Sequence, residues 1–247
     1  RYYNDRTDID INIDKIHSIE ESLYCDFSQQ ADGYNNGEKN SWDLLAAMQH
    51  YGVPTRMLDW TESFLVACYF ALEESFDIEE RKLKPGYEPT IYFLNPYKLS
   101  ASSKRSDSST LPESYFKDSK KIWNVTLSQS LDYMHNIVLN RNWHFESPLP
   151  IFPPKNNSRI IAQQGCFTVH GLSMAPLDEQ GSANHALKKV SIREHKVARE
   201  LWHMIELHNI SEYYIYRDLD RLGNHLRNKH KPMPNKSMQP TAKASAD

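Results

Sequence analysis

A chain of 247 residues with a net charge of −3 and 39% apolar residues is long enough to bury a core of its own and lacks the basic field that duplex nucleic acid requires. Three widely spaced cysteines, Cys25, Cys68 and Cys166, argue against a disulfide framework and against zinc. No run of eighteen apolar residues and no signal peptide is visible, so no membrane association is expected and the expected compartment is the cytoplasm.

In chain order, residues 13–28 repeat Ile16, Ile19, Leu23 and Phe27 at helical spacing. Asp-Gly and Asn-Gly signals between Gln29 and Asn40 predict a loop. A second helix is expected from Ser41 to Tyr51, stopped by Gly52 and Pro54. An extended piece, Thr55 to Trp60, leads to a third helix, with Thr61 as its expected N-cap and Ser75 near its end. That helix is apolar almost all round, which predicts a central position, and the acidic run from Glu73 to Glu80 is expected to be exposed. Thr90 to Leu94 reads as a strand, Lys98 to Lys121 as a surface excursion, and residues 125–140 as a helix. The proline-rich segment Ser147 to Pro154 is expected at a sheet edge. Asn156 to Ala162 is ambiguous; Cys166 to His170 and Leu187 to Ile192 read as strands. Glu194 to His208 reads as a helix, Tyr213 to Tyr216 as a short strand, and Asp218 to Asn228 as a closing helix. Strands and helices without strict alternation predict an α+β fold, with a mixed, largely antiparallel sheet and helices packed around it. From about Lys231 the composition predicts a disordered tail.

Eleven histidines invite a metal site, yet there is no HExxH, and His203 and His208, five apart, would point to different helix faces. No metal is expected. No P-loop, G-x-G-x-x-G or G-x-S-x-G occurs.

Two stretches put polar residues where burial is expected. In the first, Gln49 to Thr61, Arg56 and Asp59 either pair with each other as a polar corner or line a pocket. In the pocket reading Arg56 meets an anionic group, and Trp60 and Tyr69 supply the walls. Asp59 is also suited to accept backbone N–H bonds at a helix start. In the second, paired Gln163 and Gln164 precede Gly165 and a strand. Buried amides need several partners, whereas exposed ones would merely open the strand. Gly165 suggests close backbone approach or a bulge.

Together QHYGVPTRMLDWTESFLVACYFAL at 49–72 and NSRIIAQQGCFTVHG at 157–171 resemble the FRG domain, and SEYYIYRDLDRLGNHLR at 211–227 is similar to its closing segment. The resemblance implies one FRG domain over residues 1–230, followed by the tail at 231–247. The family's aromatic-Arg-Gly segment, which precedes the helix at 13–28, does not occur, and the chain opens at Arg1 without Met; the expectation is an N-terminal truncation. The ending NKSMQPTAKASAD resembles tails formed when a reading frame runs through an integron recombination site, which implies a mobile gene cassette.

The layout is similar by analogy to ADP-ribosyltransferase folds, in which a strand precedes a helix like Trp60-Thr61…Ala67-Cys68-Tyr69-Phe70-Ala71. That implies NAD as substrate of a transferase or NAD glycohydrolase, in a toxin or phage-defence effector with a macromolecular target and an antitoxin or immunity partner. Arg56 would meet the pyrophosphate, Trp60 and Tyr69 would line the nicotinamide side, and Gln163 or Gln164 would orient ribose hydroxyls. Asp59, Thr61 and Gly165 complete the implied site. No catalytic Glu is identifiable. The alternative is a non-catalytic module that uses the same pocket for a ligand or partner.

Overall fold

In α1 (Ile13–Ala31) the buried face runs through Ile16, Glu20 and Tyr24, with Leu23 and Phe27 partly buried and Ile19 exposed. A carboxylate thus occupies the inner stripe of an amphipathic helix, which apolar periodicity does not reveal. The computed structural model describes residues 13–31, 41–102, 122–124, 132–133, 147–153, 155, 157–171, 173 and 175–230. The expected loop beyond Ala31, most of the helix over 125–140 and the tail from Lys231 lie outside these residues.

α2 (Ser41–His50) buries Trp42, Leu45 and Met48. It ends in a Schellman motif: Val53 N–H donates to the Met48 carbonyl and Gly52 N–H to that of Gln49, with Gly52 at φ +78°. The chain then enters β1 (Met57–Thr61). α3 (Phe64–Leu72) follows, capped by Ser63, whose Oγ accepts from Val66 N–H. Thr61 is therefore not the cap; its hydroxyl accepts from Ser63 N–H and donates to the Gln163 carbonyl. The helix stops at Leu72 rather than near Ser75, because Phe76 turns into a two-strand ribbon, β2 (Phe76–Asp77) with β3 (Lys82–Leu83). Ser75 and Phe76 are buried, so the exposed acidic run begins later than expected. Nor is α3 surrounded: Val66, Cys68, Tyr69 and Leu72 are buried while Phe64 and Phe70 are exposed.

β4 (Thr90–Leu94) and α4 (Pro96–Ser102) precede the short β5 (Trp123–Asn124) and β6 (Leu149–Phe152). β6 lies inside its sheet, between β5 and β7 (Gly165–Val169), and not at an edge. Leu149, Pro150 and Ile151 all bury their side chains there. The previously ambiguous segment is α5 (Ser158–Gln163), capped by Asn157, whose side chain accepts from Arg159 N–H. A 3-10 turn (Leu177–Glu179), α6 (Gly181–Asn184) and β8 (Leu187–Ser191) follow. The chain closes with α7 (His195–Leu207), α8 (Glu212–Tyr216) and α9 (Leu219–Lys229). Residues 212–216 are thus helical, not extended: Ser211 caps the turn by accepting from Tyr214 N–H, a local signal that outweighs the aromatic preference for strands.

The main sheet has the order β1-β7-β6-β5, antiparallel except for the β5–β6 pair; β4 pairs with β8 separately. The fold is α+β with small, mostly antiparallel sheets. One apolar cluster joins the main sheet to α1 and α2 through Tyr24, Leu45, Met48 and Phe167. A second joins α3 to β4, α7 and α8 through Val66, Leu72, Ile91, Ile205 and Ile215. A third, smaller cluster gathers Leu99, Leu177, Ala183 and Ala186, with Trp60 against it.

Candidate functional site

β1 and β7 pair from Met57↔Val169 to Thr61↔Gly165. Two bonds beyond the strands extend the ladder: His170 N–H to the Arg56 carbonyl at 2.9 Å and Glu62 N–H to the Gln164 carbonyl at 3.0 Å. This pairing joins two stretches a hundred residues apart. Arg56, Asp59, Trp60, Thr61, Gln163 and Gly165 all line one cleft of about 1120 Å³. All three apolar clusters contribute to its lining, Ile160, Met57 and Phe167 from the first, Ile91 from the second and Leu177 from the third.

Two candidate residues lie off the cleft. Tyr69 is buried and stacks on Trp202 at 6.2 Å between centroids, which in turn stacks on Phe76. One position on, Phe70 turns its exposed ring to the cleft instead. Gln164 is the C-cap of α5, in the left-handed region at φ 48°. Its neighbour Gly165 is not in the left-handed region, and a Cβ there would meet Ile160 at an ordinary 3.6 Å. The strained residue is the glutamine.

Arg56 and Asp59 do not pair. The Arg56 guanidinium is turned to Glu20 of α1: Nε donates to Oε1 at 2.7 Å and a terminal nitrogen to Oε2. Another terminal nitrogen reaches the carbonyls of His170 and Gly171. Tyr133 donates its hydroxyl to the same Glu20 carboxylate. Burial alone would raise the Glu20 pKa, but the hydrogen bond and charge of Arg56, helped by Tyr133, hold it below the usual carboxylate range. Burial likewise opposes charge on Arg56, and Glu20 outweighs it, so the guanidinium is held firmly protonated.

Asp59 has a different setting. It is solvent-accessible yet recessed in the cleft, where burial raises its pKa despite a hydrogen bond from Gln49 and the positive charge of Arg159. Gln49 Nε2 donates to Asp59 Oδ2 at 3.0 Å. Burial and the charge of Arg159 depress His50, keeping it neutral at pH 7. Arg159 itself was not singled out by sequence. Its guanidinium lies 4.9 Å from the Tyr216 ring centroid, with that of Arg221 at 4.8 Å from the same ring. It makes no ion pair with a carboxylate among the described residues. Its place after the Asn157 cap was the available signal, since that position aims a first-turn side chain off the open end of α5.

Other polar lining groups hold the fold. Gln163 Nε2 donates to the Ile215 carbonyl at 3.2 Å, Thr61 Oγ1 to the Gln163 carbonyl at 2.6 Å, and Trp60 Nε1 to Thr168 Oγ1 at 3.0 Å. An adjoining apolar cavity of about 340 Å³ shares Trp60 and Thr61 and is lined by Cys166. Burial pushes the Cys166 thiol up to about 11, so it is protonated and a poor nucleophile at neutral pH. No group of three or more His, Cys, Asp or Glu able to hold a metal occurs among the described residues, and no described helix is long and apolar enough to cross a membrane.

Residues 4–80 match the family model of the FRG domain. The chain contains an FRG domain over that span. The matched span carries Glu20, Gln49, Thr55, Arg56 and Asp59, and the second wall of the cleft, with Arg159 and Gln163, lies beyond it. No curated protein and no solved structure matches the chain significantly. The FRG-domain match therefore covers the helix-loop-strand half of the cleft.

Proposed function

We propose that the cleft beside β1 binds NAD and that this FRG-domain protein is an NAD-consuming, ADP-ribosyltransferase-like effector. The observation that carries the reading is the β1–β7 pairing, which brings the Arg56–Thr61 and Gln163–Gly165 stretches onto one cavity. At about 1120 Å³ it is somewhat larger than the roughly 300–1,000 Å³ typical of small-molecule pockets, a size suited to a dinucleotide. Arg159 is the guanidinium proposed to meet the pyrophosphate, because Glu20 already neutralises Arg56. Phe70 and Tyr92 line the cleft with exposed rings, the apolar surface proposed to meet a flat base. Transfer of ADP-ribose asks a site chiefly for positioning and for stabilisation of an oxocarbenium-like state. A macromolecular acceptor would make the protein a toxin or defence effector, with a partner to restrain it; water as acceptor would make it a glycohydrolase.

A recognition module without turnover is the second reading. It is favoured by the hydrogen bonds that commit Thr61 and Gln163 to holding neighbouring elements. Calorimetry of the full chain with NAD tests the common part. Saturable heat is expected, lost in Arg159→Ala while the melting temperature stays unchanged. No heat and no melting shift from wild type would overturn the reading. Release of nicotinamide from bound NAD then separates enzyme from binder.

A further inference from the structure

Asp59 sits in mid-strand of β1, and the bonds at 56/170 and 62/164 set the phase of the ladder. Even-numbered β1 residues exchange hydrogen bonds with β7, so the N–H and C=O of Asp59 face the open edge. Its side chain shares a face with Met57, which is buried against Leu45 and Met48. Asp59, two residues on, emerges from that core beside Gln49, near the end of α2.

Gln49 is fixed in orientation by a chain of hydrogen bonds. Met57 N–H donates to Thr55 Oγ1 at 3.2 Å, and the Thr55 hydroxyl donates to Gln49 Oε1. The oxygen end of the amide is thereby engaged, so the NH₂ end must face Asp59, where it donates to Oδ2. It also approaches the Met57 carbonyl at 3.5 Å. One carboxylate oxygen is held by this relay. The other, Oδ1, accepts no hydrogen bond from the described residues and is left to the cleft.

The chemistry of the surroundings narrows what that oxygen takes. An ionised carboxylate accepts only, so its partner is a hydroxyl or a cation. Arg159, a guanidinium without a described carboxylate partner, lines the same cleft and is the charge that acts on Asp59, whereas Asp178 and Glu179, also in the lining, are not among the groups that act on it; beside Asp59 a cationic ligand is therefore disfavoured and an anionic one favoured. A ligand with hydroxyl donors, negative charge and a flat ring for Phe70 and Tyr92 is a ribonucleotide.

We infer that Asp59 is the specificity residue that reads a ribose 2′-hydroxyl of the bound nucleotide, and that Gln49 and Thr55 are positioning residues holding it for that contact. The inference rests on the reading of the cleft as an NAD site. It is tested by titrating the full chain with NAD and with two deoxy-NAD forms, each lacking the 2′-hydroxyl of one ribose. A hydrogen bond to a charged acceptor accounts for roughly 10–100-fold in affinity. One of the two deoxy forms is expected to bind wild type weaker by about that factor. Asp59→Asn should bind NAD and that deoxy form nearly equally, and Gln49→Ala, which leaves the carboxylate in place but unheld, should show an intermediate preference. Thermal melts of both variants confirm that they fold. A hydroxyl preference that persists in Asp59→Asn, or no preference in wild type, overturns the role of Asp59 and leaves the NAD site standing. Failure of wild type to bind NAD at all overturns the site and this inference together.

Discussion

Glu20 and Arg56 show how one buried pair fixes the corner of a fold. Their side chains are 11% and 5% exposed, and Tyr133 and two backbone carbonyls complete the hydrogen bonding. Removing one partner of such a pair leaves an uncompensated buried charge, a loss of about 3–5 kcal/mol. Arg56→Ala is expected to lower the urea midpoint accordingly, with an unchanged m-value. The pH dependence follows from the direction of the Glu20 shift. Its native pKa is depressed, so the pair contributes fully above the usual glutamate range and the contribution is lost as pH falls through the lowered native value. The deficit of Arg56→Ala relative to wild type should therefore shrink on acidification, as denaturation curves at neutral and strongly acidic pH would register. An Arg56 deficit that grows in acid would contradict this assignment.

Among the elements, the α5–β7 junction carries a local strain that the sequence disguises. Gln164 is in the left-handed region, and the adjacent glycine is not. For a residue with a Cβ that conformation costs about 1–2 kcal/mol, of which glycine's extra chain entropy would return roughly 0.5–1 kcal/mol. Gln164→Gly is expected to stabilise the protein by about 0.5–1 kcal/mol, whereas Gly165→Ala should be close to neutral. Thermal denaturation of the two variants checks the contrast. The same junction shows where sequence reading works and where it stops. The Asn157 cap and the strand after Gly165 are local events, yet the segment between them was ambiguous because SRIIAQ is too short for a decisive period. At 212–216, aromatic composition suggested a strand while the Ser211 cap made a helical turn.

At the scale of the molecule, the cleft draws its lining from three separate apolar clusters. A ligand that bridges them binds the folded chain alone, and so stabilises it by mass action. NAD at a hundred times its Kd is expected to add about 2.7 kcal/mol, a rise in Tm of about 5–10 °C for a chain of this size. Differential scanning fluorimetry across a concentration series checks this; a flat Tm would count against a site between the clusters.

The amino-acid sequence alone carried the α+β class, the FRG-domain stretch at 49–72 and the bounds of several elements, because caps, stops and apolar periods are decided by neighbours along the chain. It also pointed to Asp59, Trp60, Thr61 and Gln163 as polar groups beside an apolar helix. Only the tertiary structure assigned Glu20 to Arg56, turned Tyr69 into the core and Phe70 outward, and brought Arg159 to the cleft as a cation without a described carboxylate partner. Those outcomes depend on which face of one element meets which face of another across a hundred residues. Charge pairing between distant segments leaves no periodic trace in a single sequence.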